Sequence, residues 1–169
     1  DFFQVADVFG TSYAPGRLVA ADREILPATW GVRSQLRDGE VVVSLQIQDA
    51  RDWRGVGLLL AYDTNALEPL GTAPGILVDD VAADRRIYSA IDLNNGEVAL
   101  MAHRMQAVPF TGAGSVVELR FRPLVDAAQT ALEIRGGAVQ TAAGVFALAE
   151  QQLSVRLVPE QFALMQNFP

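Results

Sequence analysis

The alternation of apolar and charged side chains along residues 115–124, SVVELRFRPL, constrains the fold more than any other feature of this sequence. Successive side chains of an extended strand point to opposite faces, so the apolar residues share one face and the charged residues share the other. The same period of two recurs in residues 41–48 and in residues 153–157. Such alternation is typical of antiparallel sheets that have one face in the core and one in water.

A second stretch, residues 55–71 (GVGLLLAYDTNALEPLG), predicts a long apolar strand, a tight turn and a short second strand. Further along, Asn95-Gly96 joins residues 86–93 to residues 97–105, and an Asn-Gly pair between apolar runs is a strong hairpin signal because it accepts positive φ. About nine strands separated by turn residues favour an all-β, antiparallel sandwich of the jelly-roll kind over a barrel or an α/β fold.

Composition excludes several classes of function. The 169 residues fit one domain, and half of them are hydrophobic, which suffices for a core. The net charge is −7 and all 13 basic residues are arginine, a poor match for the phosphates of nucleic acids or for anionic membranes. The sequence has no cysteine, and no apolar run approaches the length that spans a bilayer. We therefore expect neither a nucleic-acid partner nor membrane insertion.

The two ends differ from the central region. Residues 1–10, DFFQVADVFG, have apolar side chains at helical spacing, with Asp1 placed to cap the helix and Gly10 to end it. Residues 11–27 contain two prolines and predict a linker, or a strap across the surface of the domain. The predicted organisation is a short N-terminal helical segment (1–14), a linker (15–27), the sandwich (28–159), and a C-terminal linker or tail strand (160–169).

No catalytic constellation stands out. His103 is the only histidine, so a catalytic triad or a histidine-rich metal site would have to be built around it, and no metal-ligating residue type flanks it. The acidic residues Asp79-Asp80, Asp22 and Glu24 lie in predicted loops, where solvated carboxylates are expected rather than a glycosidase pair. The sequence predicts that the protein is not an enzyme, and it predicts a structural or interface role for His103.

The order of these elements along the chain carries a more specific signal. It is formed by residues 39–48, Tyr62-Asp63, Ala66-Leu67-Glu68, Gly75-Ile76-Leu77, residues 112–114, residues 117–121, residues 131–134 and residues 153–158. Over residues 28–159 this series resembles a cohesin domain, the extracellular receptor module that binds dockerins in bacterial cellulose-degrading and related surface assemblies. The resemblance implies an all-β sandwich that docks a protein partner through one flat sheet face.

The flanks show resemblances of their own. Residues 1–10 are similar to the helix that follows a dockerin-type calcium loop, in which Asp1 would be the last carboxylate ligand. Calcium takes about 6–8 oxygen ligands, so we expect no metal site here unless residues upstream or another chain complete the loop, and we expect no other cofactor. Residues 159–169, PEQFALMQNFP, resemble the start of the linker before sorting domains of type IX secretion cargo. That implies a secreted protein, extracellular or on the surface of a bacterium.

The first functional hypothesis is a secreted, non-catalytic, cohesin-like module whose partner is a dockerin-like module or a further copy of this chain. If alternate residues of 98–102 fill the core, the residues between them point outward. Strand parity assigns the following residues to the docking face: Leu58, Leu60, Tyr88, Met101, His103 and Met105. A shift of one residue would move the set to the core. Residues 11–27 or the chain end are alternative covers for the outward face.

Two other hypotheses stay open. The first is a structural subunit of an extracellular filament or surface layer, assembled through apolar residues of the terminal segments: Phe2, Phe3, Phe9, Phe162, Leu164 and Phe168. The second is a carbohydrate-binding module with a polysaccharide ligand. Its candidate stacking residues are dispersed in the sequence, which favours core or edge packing for them: Trp30, Trp53, Tyr62 and Tyr88.

Overall fold

A computed structural model describes residues 11–14, 17–20, 24–79, 86–92, 96–104 and 109–157 of the chain. These ranges hold thirteen strands and one short helix. In chain order they are β1 Thr11–Ala14, β2 Arg17–Ala20, β3 Ile25–Leu26, β4 Trp30–Arg37, β5 Glu40–Trp53, β6 Gly55–Tyr62, β7 Leu67–Pro74, α1 Ile76–Asp79, β8 Arg86–Asp92, β9 Glu97–Arg104, β10 Phe110–Pro123, β11 Gln129–Thr141, β12 Gly144–Leu148 and β13 Gln151–Arg156.

Two sheets form the sandwich. The four-stranded sheet has the order β4-β5-β10-β7 and is antiparallel throughout. The seven-stranded sheet has the order β3-β12-β11-β6-β9-β8, with β13 also paired to β11. β11 is long enough to pair with β13 along its first half and with β12 along its second half. The strands β1 and β2 form a separate two-stranded hairpin.

The core lies between the two sheets, and the period-two pattern explains which residues fill it. Along β5 the residues Val41, Val43, Leu45 and Ile47 are buried, while the residues between them are partly accessible. Burying one whole face of a strand in this way removes apolar surface from water and fixes the register, because a slip would expose the entire set. The predicted all-β sandwich is therefore confirmed.

Three of the four aromatic residues considered for sugar stacking lie in this core. The Trp30 and Trp53 ring centroids are 6.0 Å apart, and the Tyr62 and Phe121 centroids are 5.1 Å apart. Trp30, Trp53, Tyr62 and Phe121 are each at most 8% exposed. They therefore stabilise the packing between the sheets and offer no surface on which a sugar could stack. The side chain of Tyr88 lies outside the described part of the structure.

The antiparallel strand pair that the Asn-Gly signal predicts is also present, and residues 93–95 between the strands lie outside the described ranges. β8 pairs antiparallel with β9, with Asp92 opposite Val98, and Gly96 has a φ of 85°. A positive φ at this turn is what glycine adopts at little cost.

The N-terminal region differs from its prediction where it can be compared. The helix expected over residues 1–10 lies outside the described residues, as do the terminal phenylalanines and residues 158–169. Residues 11–14, placed at the end of that helical segment, instead form strand β1. The expected linker of residues 15–27 contains β2 and β3. These three strands account for most of the excess over the nine expected, since short strands beside prolines leave little period-two pattern to detect.

Candidate docking face

β6 is buried on both sides, and its register shows which side each leucine takes. Leu58 pairs with Leu100 and Leu60 pairs with Val98, and all four belong to the core between the sheets. Leu59 is also fully buried but lies outside that core cluster, because alternate residues of a strand face opposite ways.

The assignment of Leu58 and Leu60 to a docking face was therefore wrong. Three consecutive leucines carry no alternation, so the sequence contains no local signal for the parity of this strand. Only pairing with β9, whose Val98 and Leu100 fill the core, determines it.

We call the opposite surface of the seven-stranded sheet the outer face. It is formed by alternate residues of β6 and β9 and by the facing residues of β11, namely Gly57, Leu59, Ala61, Glu97, Ala99, Met101, His103, Glu133, Arg135, Ala138 and Gln140. The structure thus places Met101 and His103 outside the core, opposite Gly57 and Gly55. Met105 lies outside the described residues, and Tyr88 is described only as a backbone partner of Ala102.

Small residues make the middle of the outer face flat. Gly57 sits between Met101 on β9 and Ala138 on β11, and Leu59 sits opposite Ala99. A Cβ added at Gly57 would meet only the Leu100 carbonyl oxygen, at 3.9 Å. Because no bulky side chain rises from this central strip except Leu59 and Met101, another element can lie close to the sheet.

One end of the outer face carries a charged cluster. Arg135 Nη1 donates to Glu97 Oε1 at 2.7 Å, and Arg135 Nε donates to Glu133 Oε2 at 3.3 Å. The Glu97 side chain is only 3% exposed, so this carboxylate needs its charge balanced. Burial lowers the pKa of Arg135, but its hydrogen bonds to Glu133 and Glu97 outweigh that effect and raise the pKa overall.

Replacing Arg135 with glutamine is expected to lower the free energy of unfolding by about 1–3 kcal/mol, because the buried Glu97 carboxylate loses its ion pair. Urea unfolding followed by circular dichroism measures the change. The matched control is Arg122→Gln, which breaks the exposed ion pair with Glu68 and is expected to cost at most about 1 kcal/mol. Equal effects of the two variants would contradict the structural role given to the Arg135 cluster.

The outer face is covered, although it points away from the core. Leu59 is 0% exposed and Met101 is 7% exposed. The backbone of β2 lies against β11 and β6, yet within the described residues it is hydrogen-bonded to neither. A strand that contacts two neighbouring strands without pairing must lie across a face, and the other face holds the four-stranded sheet. Strand β2 of the β1–β2 hairpin therefore covers part of the outer face.

The described residues show no cluster of metal-ligating side chains. Among them, no group of three or more His, Asp or Glu side chains is placed to hold a metal ion. His103 is half-buried on the outer face, and Glu24 is exposed. The described ranges contain one helix, α1, and its four residues are too few to cross a membrane.

Sequence reasoning missed three features of the outer face: Leu59, Ala138 and the Glu97–Arg135 pair. Glu97 follows the Asn-Gly turn directly and precedes Val98, so its parity with Ala99 and Met101 was available from the alternation. Its partner was not, because β11 has an irregularity between Ile134 and Gly136 that changes the register beside Arg135.

Together, these features define a two-sheet β-sandwich whose seven-stranded sheet has a flat outer face that is apolar at its centre. No family model matches the sequence, and no curated protein matches it either. Solved structures do match, and several of them are cohesin modules. A non-cellulosomal cohesin from the archaeon Archaeoglobus fulgidus has a TM-score of 0.61 at 18% identity, covering 85% of this chain and 100% of that one.

Two bacterial structures agree with this likeness. The sixth cohesin of scaffoldin B from Acetivibrio cellulolyticus, solved in complex with a mutant Cel5 dockerin, has a TM-score of 0.63 at 14% identity, covering 79% of this chain and 100% of its own. The cohesin module of a family 33 glycoside hydrolase from Clostridium perfringens has a TM-score of 0.58 at 12% identity, covering 79% and 100%. The chain thus has a cohesin-like fold, as the sequence resemblance predicted.

Proposed function

We propose that this domain is a non-catalytic protein-binding module that supports assembly, and that it docks its partner on the outer face. The observation that carries the proposal is that this face is flat and apolar at its centre and lies beneath a hairpin that is not part of the sheet. Exposed apolar surfaces mark partner sites, since leaving them in water is unfavourable, and here a partner would take the place of the hairpin that covers the face. The cohesin-like fold supports the proposal, because one similar cohesin was solved bound to a dockerin.

The partner we favour is a dockerin-like module or a second copy of this chain, and the setting we favour is extracellular. The resemblance of residues 159–169 to a type IX secretion linker supports export. A calcium ion would enter only if a loop upstream of Asp1, or another chain, completed the remaining ligands. The buried positions of Trp30, Trp53 and Tyr62 argue against binding a neutral glycan by ring stacking on these residues.

Self-assembly into a filament or surface layer is the second candidate function. The β1–β2 hairpin already fits the outer face, so the same hairpin of a second copy would make the same contacts in trans. Exchanging the β1–β2 hairpin between two copies would cost little free energy, because the hairpin has no backbone hydrogen bonds to the seven-stranded sheet that would have to be broken. The terminal phenylalanines would extend such a contact.

Removing residues 1–20 tests whether the outer face is a docking surface. We expect the truncated domain to stay folded, to bind more of an apolar fluorescent dye, and either to capture a recombinant dockerin module or to self-associate in sedimentation velocity. Met101→Asp in the truncated domain is expected to abolish that association, because it places a charge at the centre of the outer face.

The control is Leu124→Asp in the same truncated domain, since Leu124 is 51% exposed and lies outside the outer face. It is expected to leave association unchanged. A truncated domain that is folded but monomeric, binds no extra dye and captures no dockerin would contradict the proposal. Equal effects of the Met101 and Leu124 substitutions would also contradict it.

A further inference from the structure

A polar groove of about 720 Å³ lies at the edge of the sandwich where β4 passes β13. It is lined on one side by β4 and by the outward residues of β5, and on the other side by β13. Among its lining residues are the polar and charged side chains of Arg33, Arg37, Gln46, Gln48, Ser154 and Arg156. We call it the arginine groove, and none of these residues belongs to the outer face.

The arginines of the groove differ from most arginines in the described part of the chain. Arg51, Arg120, Arg122 and Arg135 each pair with a carboxylate. Four other arginines have described side chains, and none of them forms an ion pair with a described carboxylate. Three of these, Arg33, Arg37 and Arg156, line the groove, and the fourth is Arg54.

The groove is also free of opposing charge among its described lining residues, none of which is acidic. This is unexpected in a chain with 20 acidic and 13 basic residues, where carboxylates are the commoner charged group. Arg37 Nη2 donates to Gln35 Oε1 at 2.7 Å, which holds that guanidinium at the groove without neutralising it. Glu40 lies opposite Arg37 in the register of β4 with β5, but its carboxylate is already paired with Arg120. Three guanidiniums therefore line one groove that has no acidic lining residue, and they create a local site for an anion on a protein of net negative charge.

The remaining lining residues indicate which kind of anion fits. Guanidinium groups bind carboxylates through paired hydrogen bonds, and the glutamine and serine side chains between them can exchange hydrogen bonds with hydroxyl groups. No described lining residue is aromatic, so a neutral sugar would have no ring to stack on. Leu36, at 39% exposure, is the one exposed large apolar side chain of the lining, so a peptide would find little to anchor its apolar residues.

We propose that the arginine groove binds an acidic polysaccharide, with its carboxylates on Arg33, Arg37 and Arg156 and its hydroxyls on the glutamines and serines. This inference goes beyond the protein-docking function and does not depend on it. A domain with both surfaces would connect a protein partner to an acidic glycan matrix.

Affinity electrophoresis in gels containing polygalacturonate, dextran or polyglutamate tests the proposal. We expect polygalacturonate to retard the wild-type protein and dextran to have no effect. The double variant Arg33→Gln/Arg156→Gln is expected to bind polygalacturonate at least about tenfold more weakly, since it loses two charge-assisted contacts. The control is Arg51→Gln/Arg54→Gln, which removes the same charge from exposed residues outside the groove and is expected to bind like wild type.

Three results would overturn the proposal. The first is a wild-type protein that polygalacturonate does not retard. The second is an equal loss of binding in the groove variant and in the charge-matched control, which would indicate a nonspecific charge effect. The third is tighter binding to polyglutamate than to polygalacturonate, which would make the groove a site for acidic peptides. Circular dichroism of both variants confirms that they are folded before the comparison.

Discussion

Substituting Leu60 with alanine is expected to lower the free energy of unfolding by about 2–5 kcal/mol, because it opens a cavity between the two sheets. Leu60 is 0% exposed and belongs to the inter-sheet core. It pairs with Val98 on β9 and with Ile134 on β11, both of which are buried in the same core. Neighbours held on both sides by backbone pairing cannot collapse into the space that the lost side chain leaves.

The measurement is chemical unfolding monitored by tryptophan fluorescence, which reports the buried pair Trp30 and Trp53. The control is Leu36→Ala, since Leu36 is 39% exposed on β4 and its truncation is expected to change stability by at most about 0.5 kcal/mol. A small effect at Leu60, comparable with that at Leu36, would contradict the place of Leu60 in the tightly packed core between the two sheets.

Substituting Gly75 with alanine is expected to cost about 3 kcal/mol or more, because there is no room for a methyl group at this position. A Cβ built on Gly75 would collide with the carbonyl oxygen and the carbonyl carbon of Ser115. Both are backbone atoms of β10, so a side-chain rotation cannot relieve the clash. Either β10 or the start of α1 must move.

That movement would break several hydrogen bonds at once. The Gly75 amide donates to the Val116 carbonyl oxygen at 3.0 Å, and the Ile76 amide donates to Ser115 Oγ at 2.9 Å. The Val78 amide in turn donates to the Gly75 carbonyl oxygen at 3.0 Å. The glycine thus allows the end of β7 and the first turn of α1 to approach β10 at the distance that these bonds require.

Gly71→Ala is a matched control for Gly75→Ala, because both variants add one methyl group and the two glycines are close in sequence. Gly71 is exposed, and nothing lies within 4 Å of a Cβ built on it. Its substitution is expected to change stability by at most about 0.5 kcal/mol. Thermal and urea unfolding compare the two. Similar stabilities of the two variants would contradict the close packing of Gly75 against β10.

The parts of the fold that the sequence predicted are those in which one strand carries its own signal. The alternation in β5 and β10 identifies core and surface without reference to any neighbour, and Asn95-Gly96 specifies the β8–β9 hairpin locally. The aromatic residues Trp30, Trp53 and Tyr62 were correctly favoured as packing residues because they are dispersed in the sequence.

The parts that were missed depend on pairing between strands distant in the chain. Leu58, Leu59 and Leu60 look alike in sequence, and only the register with β9 and β11 separates the two core residues from the one on the outer face. The ion pair of Glu97 with Arg135 joins residues on different strands beside an irregularity in β11. The arginine groove likewise brings Arg33 and Arg156 together from opposite ends of the sandwich sequence, and no local pattern marks it.

The arrangement of strands around β11 determines how the domain would transmit tension. β3, the first strand of the sandwich, reaches β11 through β12, and β13, the last strand, pairs with β11 directly. Once the β1–β2 hairpin has been pulled off the outer face, a force applied along the polypeptide would therefore load the hydrogen bonds of β3, β12, β11 and β13. The strands β6 and β9, which carry the centre of the outer face, lie beyond β11 and outside this load path. Under tension, the part of the outer face that β6 and β9 form would keep its geometry until the hydrogen bonds along that path have yielded.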